Sequence, residues 1–390
     1  METVVATRVK QESDRFRPLV YWYLTYRCNL RCKHCWINSS PSVDISTELT
    51  TDEILATIAQ LKKIDPSLVI LTGGEPLLRK DALAIIEAII DQGIALSVET
   101  NGMLIQDEHV RLFRTALDQG SFVWISVSLD GGTREAHEWV RGRGSFDPTV
   151  KALYRLRTAG IPFGVQCVVN RQNFQTITDL FRLANDLDFS SRDHVLAFSI
   201  VNPIGRASEF KDSLVLTPSE YERAFQLVLS GLRGYKGRVL IKVPPATIPP
   251  WHLQYLMQDE RVKFLVSCSF PSLGILPDGT LSVCVLSGAD SGLVLGHLRK
   301  DSIADVVKRS IEPLHKVYEN VTLTGVCADC VFKNSCRGSC RAYAYSKFGS
   351  FTGPHPLCDA CEKAGMFPNI YRISYHRRLR SQVDVAWRVP

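Results

Sequence analysis

Residues 19–36 read LVYWYLTYRCNLRCKHCW, an apolar and aromatic run followed at once by Cys28, Cys32 and Cys35 in C-x3-C-x2-C spacing. The run has the composition of a first β-strand, so the three cysteines lie on the loop that leaves it. Three thiolates on one short loop can hold three corners of a cubane iron–sulfur cluster, and they leave one iron without a protein ligand. The same three cysteines, completed by His34 or a distant residue, also suit zinc.

A second strand is read at 68–72, Leu-Val-Ile-Leu-Thr, and Gly73-Gly74-Glu75-Pro76 follows it directly. Paired glycines let backbone approach a ligand closely, which a zinc site does not require. With both features present, the chain resembles the radical S-adenosylmethionine (radical SAM) superfamily over nearly its whole length. Cys28, Cys32 and Cys35 match that family's cluster loop, and Gly73 to Pro76 match the segment that holds the methionyl amine of SAM. The resemblance implies a [4Fe–4S] cluster whose open iron chelates SAM, reductive cleavage to a 5′-deoxyadenosyl radical, and hydrogen abstraction from a substrate. His34 stands where the family usually has an aromatic residue, at a position expected to serve adenine largely through its backbone, with Trp36 just beyond.

At 390 residues and 45% hydrophobic content the chain has material for a large core and an accessory domain. No segment approaches the roughly 20 uninterrupted apolar residues of a membrane span, and the sequence from Met1 lacks a signal-peptide pattern, so a cytoplasmic location without a membrane partner is expected. Twelve cysteines in such a compartment point to metal ligation rather than disulfides. The net charge of +6 permits an acidic partner without demanding nucleic acid, and none is expected.

Strand and helix signals alternate. Strands are read at 19–25, 68–72, 95–99, 123–128, 163–169 and 195–200, and amphipathic helices at 51–62 and 81–90. Six such units predict an α/β fold, a partial (β/α)6 barrel over residues 17–235. Around it are expected an N-terminal extension (1–16), a linker (236–267), a small cysteine-rich domain (268–365) and a basic tail (366–390). Reactive groups of parallel barrels gather at the carboxyl ends of strands. Asn101 and Gly102 stand there after the third strand, Ser128 and Asp130 after the fourth, Asn170 after the fifth, and Asn202 with Gly205-Arg206 after the sixth. Each also suits an ordinary turn or helix cap. The resemblance implies Ser128 and Arg141 at the SAM carboxylate, Thr100 and Asn101 at other SAM contacts, and Asn170 at the ribose.

A second group of cysteines follows: Cys268, then Cys284, then Cys327, Cys330, Cys336 and Cys340 in C-x2-C-x5-C-x3-C spacing, and Cys358. Pro277-Asp278-Gly279 reads as a tight hairpin turn whose arms bring Cys268 and Cys284 together. Two zinc knuckles fit the spacing alone. The pattern resembles the SPASM extension of radical SAM enzymes, which implies two auxiliary [4Fe–4S] clusters. Cys268, Cys284 and Cys340 would serve the first of these, short of a fourth cysteine, and Cys327, Cys330, Cys336 and Cys358 the second. Cys167 reads as core. Cys361 is open to three readings: a further ligand, packing, or a hydrogen donor to a substrate radical.

SPASM-bearing relatives mostly modify peptides. The leading expectation is therefore a maturase of a ribosomally synthesised precursor peptide, forming an intramolecular crosslink, with auxiliary clusters accepting the electron that bond closure releases. Epimerisation and excision are the alternatives. Formylglycine formation on sulfatases is demoted, because Val285 stands where maturases resembling this chain place an aspartate base directly after the cysteine. A reductant such as flavodoxin or ferredoxin is expected, as is a separate leader-recognition protein, unless the barrel surface itself binds the leader. A non-enzymatic iron–sulfur electron carrier is the remaining reading, and the Gly73–Pro76 segment argues against it. The basic run 375–380 suits a solvated tail or an acidic-peptide contact.

Overall fold

The computed structural model describes residues 16–189, 193–265, 270–284 and 291–377. Cys268, Val285, Arg378 and Arg380 therefore lie outside the described residues. The six expected strands are present as β1 (Leu19–Tyr23), β2 (Leu68–Thr72), β3 (Leu96–Thr100), β4 (Val123–Ser128), β5 (Phe163–Val169) and β6 (His194–Ile200), each parallel to the next. Between them run α1 (Thr51–Ile64), α2 (Ala82–Asp91), α3 (Asp107–Asp118), α4 (Arg134–Arg141), α5 (Phe146–Thr158) and α6 (Ile177–Asp186). Helix α1 shows why these segments form. Thr50 and Glu53 make a reciprocal capping box, and Ile54, Ile58, Leu61 and Ile64 recur at helical spacing on the buried face.

β1 decides which way the barrel faces. Val20, Trp22 and Leu24 enter the main core with the helices, whereas Tyr21 and Tyr23 point to the opposite face and pack with Leu276, Cys284, Cys340 and Ala342. The alternation of a strand thus separates a helix-covered face from an inner face that meets the second cysteine group.

The sheet continues beyond six strands. Residues 236–267, read as a linker, carry β7 (Arg238–Lys242), α8 (Pro250–Gln258) and β8 (Val262–Phe264), and both strands extend the parallel sheet after α7 (Pro218–Leu232). The pattern is inconspicuous because β8 has three residues and because Pro244, Pro245, Pro249 and Pro250 interrupt any periodicity. On the other edge β9 (Leu273–Ile275) pairs parallel with β1, followed by the antiparallel strands β10 (Thr280–Val283) and β11 (Val294–His297). The order among the described residues is β11-β10-β9-β1-β2-β3-β4-β5-β6-β7-β8, an open sheet with the cysteine-rich region grown onto the barrel edge. The expected turn joins β9 to β10 with Gly279 at φ 95°, a left-handed value that glycine accepts without cost.

The start of the predicted tail is also folded. Ile373 N–H donates to the Asp329 carbonyl, Val331 N–H to the Tyr371 carbonyl, and the Ser374 hydroxyl to Asp329, which docks this segment on the Cys327–Cys330 loop. Among the described residues no helix is long and apolar enough to cross a membrane.

Candidate active site at the cysteine loop

The loop carrying Cys28, Cys32 and Cys35 is fixed by contacts from the segments that follow β2 and β6. Gly74 N–H donates to the Thr25 carbonyl (2.7 Å) and Glu75 N–H to the Arg27 carbonyl (2.9 Å). A Cβ on Gly73 would sit 2.5 Å from the Thr25 oxygen, and one on Gly74 would sit 2.1 Å from the Arg27 oxygen. The paired glycines are thus required by close approach to the cysteine loop itself. From the sixth strand, Arg206 donates to the carbonyls of Cys32 (2.9 Å) and Ser39 (2.7 Å), and its N–H to that of Cys35 (2.9 Å). Gly205 lies against Trp36, where a Cβ would meet the carbonyl oxygen at 2.3 Å.

Glu75 is fully buried. Its carboxylate accepts from Leu77 N–H (3.1 Å), the Thr100 hydroxyl (2.8 Å) and Asn101 N–H (2.8 Å), tying β2 to the end of β3. Burial pushes its pKa up to about 7, against the three hydrogen bonds that favour the charged form. Asn101 in turn donates to Asn29 (2.8 Å) and lies 3.9 Å from the Cys28 sulfur. Thr100 and Asn101 are therefore wired to the loop. Asn170 is fully buried and forms a turn with Gln172 and Asn173. Ser128, half-buried, ends β4 beside Gln166.

A charged hub lies beneath the loop, formed by residues the sequence singled out separately but whose pairing it did not reveal. Asp130, fully buried, holds Oδ2 2.7 Å from His34 Nε2 and 2.7 Å from Arg141 Nε, while Oδ1 accepts Val168 N–H at 2.8 Å. Burial opposes its ionisation, but the Arg141 guanidinium and His34 outweigh that and hold the carboxyl well below the usual carboxylate range. His137 Nδ1 accepts Asp130 N–H (3.1 Å), and burial, with Arg141, drops its pKa to about 3, so it is neutral. The one available signal was a charged residue at the carboxyl end of a barrel strand. Arg141, expected at the SAM carboxylate, holds its Nε against Asp130 instead, and His34 turns its side chain to the same carboxylate.

The mouth fits a cluster and a polar ligand on two observations. Burial raises the pKa of Cys28 to about 12 and of Cys32 to about 11, so these thiols stay protonated until a bound metal displaces the proton; Leu30 N–H already points at the Cys28 sulfur (3.4 Å). Buried His34 Nδ1 and Asn202 Oδ1 have no hydrogen-bond partner among the described residues, leaving polar atoms for a bound molecule.

The second cysteine group falls into two places. Cys284, with Cys340 close by, joins Tyr21 and Tyr23 on the inner face of β1. Cys327, Cys330, Cys336 and Cys358 line one cavity together with His355, whose N–H points at the Cys327 sulfur (3.4 Å). Hydrogen bonding from Cys358, and from that N–H, holds Cys327 below an ordinary thiol against the effect of burial. Between the two places Arg341, fully buried, donates to the carbonyls of Phe351 (2.9 Å), Gly353 (2.7 Å) and Gly338. Cys361 lies in α9 (Pro356–Lys363), in the main core and not on the wall of that cavity, and burial raises its pKa to about 11. Cys167 is core.

Fold and loop together define an α/β barrel with a three-cysteine loop clamped at the mouth of the sheet. The sequence model of the radical SAM superfamily matches residues 22–184. The chain is 31% identical over 352 residues to the AdoMet-dependent heme synthase of Methanosarcina barkeri, covering 87% of this chain and 95% of that one. It is 29% identical over 341 residues to the mycofactocin maturase of Mycolicibacterium smegmatis, covering 86% and 81%. The solved structure of Streptococcus suis SuiB bound to S-adenosylmethionine superposes with a TM-score of 0.65 at 14% identity, covering 88% of this chain and 77% of that one, a likeness of fold. The chain belongs to the radical SAM superfamily, whose enzymes carry a [4Fe–4S] cluster and use SAM.

Proposed function

We propose that the protein is a radical SAM/SPASM maturase that modifies a ribosomally synthesised precursor peptide. The observation that carries the reading is the cysteine loop clamped at the barrel mouth, with a second cysteine group on the same inner face of β1. Cys28, Cys32 and Cys35 would hold the [4Fe–4S] cluster, and Gly73 to Pro76 would offer backbone to SAM. Bound there and reduced, the cluster would supply the electron that splits SAM into methionine and a 5′-deoxyadenosyl radical able to abstract hydrogen from carbon. Cys284 and Cys340, with Cys268, are assigned to one auxiliary cluster, and Cys327, Cys330, Cys336 and Cys358 to the other. The chain's own part is positioning. Asp130 keeps Arg141 and His34 fixed beneath the loop, and Glu75 keeps Thr100 and Asn101 from drifting away from it.

The peptide reading rests on the SPASM cysteine pattern and on the mycofactocin maturase relatives. Crosslinking is the preferred outcome, with flavodoxin or ferredoxin as the electron source. A second reading, an iron porphyrin as substrate, is favoured by the 31% identity to a heme synthase and by a relative, 26% identical, named Fe-coproporphyrin III synthase. The test is anaerobic incubation of the reconstituted protein with SAM, reductant and the product of a neighbouring short open reading frame in deuterated water, read by mass spectrometry. Loss of two hydrogens supports crosslinking, and carbon-bound deuterium without oxidation supports epimerisation. An unchanged peptide alongside a changed iron porphyrin in the parallel reaction overturns the peptide reading.

A further inference from the structure

The barrel interior holds a cation that the site described above does not use. Lys242, the last residue of β7, donates from Nζ to Gln166 Oε1 of β5 at 2.8 Å. These strands are separated by β6, hence by about 10 Å of sheet, so both side chains project from the concave face to meet. Across the barrel on β3 stands Glu99, steadied by Thr72 and within electrostatic reach of Lys242, although β3 and β7 are four strands apart. Only a strongly curled sheet with both groups pointing inward allows that.

Three further facts make this an open site rather than a packed ion pair. Among the described residues Lys242 and Glu99 take part in no ion pair, and the partner of Lys242 is a neutral amide, which leaves two of its three donors free. Lys242, Gln166, Glu99 and Tyr21 all keep partial solvent access while surrounded by barrel wall, so they border internal space. Tyr23, on the same face, lies within electrostatic reach of Glu99, Cys35 and Cys284, which places that space between the two cysteine groups.

We propose that Lys242, oriented by Gln166, is the substrate-anchoring residue of the barrel and takes a carboxylate of the substrate. The inference rests on the reading that the barrel mouth is the substrate site. One ammonium facing a carboxylate across the cavity suits a monoanion, since a phosphate dianion would be repelled by Glu99 without compensation from a second cation.

The experiment compares 3-phenylpropionate with its neutral amide as probes, by saturation-transfer NMR on the anaerobic, cluster-loaded, SAM-bound full chain. The acid is expected to bind on the order of tenfold tighter than the amide, the effect of one charge-assisted hydrogen bond. Lys242→Gln abolishes the preference and Lys242→Arg retains it, at unchanged iron content and circular dichroism. Glu99→Gln strengthens acid binding by removing the opposing charge. Equal binding of acid and amide by the unaltered protein, which needs no variant to fold, overturns the proposal, as does a preference that survives Lys242→Gln. 5′-Deoxyadenosine formation measured in the same samples separates the two readings: acid preference without SAM cleavage leaves the anion site standing and removes the radical reading, and the reverse result does the opposite.

Discussion

Replacing Asp130 with asparagine removes one charge while keeping the side chain's shape. Asparagine Oδ1 still accepts Val168 N–H, so the link between β4 and β5 survives. What is lost is the anion 2.7 Å from Arg141 and 2.7 Å from His34, at a fully buried position. Removing one member of a buried charge pair strands the other and costs about 3–5 kcal/mol. The sign with pH follows from the depressed carboxyl pKa. Such a group stabilises the fold at pH values above its unfolded pKa of about 3.9, and that contribution is lost as pH falls through the lower folded value. Urea unfolding of the reduced, anaerobic protein should therefore show a gap between wild type and Asp130→Asn that is constant from about pH 5 to pH 8 and narrows below about pH 4. A gap under about 1 kcal/mol at neutral pH, or one that does not narrow in acid, would refute the role given to this hub.

Glu75 has the opposite pH behaviour. Its folded pKa of about 7 lies above the ordinary 4.5, so its contribution is fully present below pH 4.5 and is lost as pH rises through 7, about 3 kcal/mol over the range; Glu75→Gln should flatten that slope in paired urea titrations at pH 5 and pH 8. Gly205→Ala places a Cβ 2.3 Å from the Trp36 carbonyl at φ 60°, and should lower iron bound at the N-terminal loop while leaving signals from the C-terminal cysteines, as read by electron paramagnetic resonance. Cys336→Ser should remove about four irons per chain, the content of one cubane, with the N-terminal cluster retained; unchanged iron content would count against the assignment of that cavity.

Much of the fold was legible because its strands are short, apolar and punctuated by turn residues. β2, β4 and β5 occupy the predicted spans, and the cysteine loop sits at the mouth the strand order implies. Side-chain partnerships were not legible. His34 and Asp130 are 96 residues apart in sequence and 2.7 Å apart in space, and nothing in either segment names the other. The pairing of β9 with β1 is likewise invisible, since a three-residue strand has too little periodicity to announce its neighbour. The glycines of the Gly73–Pro76 segment were read as room for a ligand, whereas the close approach the structure displays is to the chain's own backbone from Thr25 to Arg27.

The most direct test of the central claim is the yield of 5′-deoxyadenosine and methionine from SAM when the anaerobically reconstituted protein is given a strong reductant. Formation of both products, abolished when Cys28, Cys32 and Cys35 are replaced together by alanine, is the predicted result. A protein with a full complement of reduced iron–sulfur clusters that leaves SAM intact would contradict it.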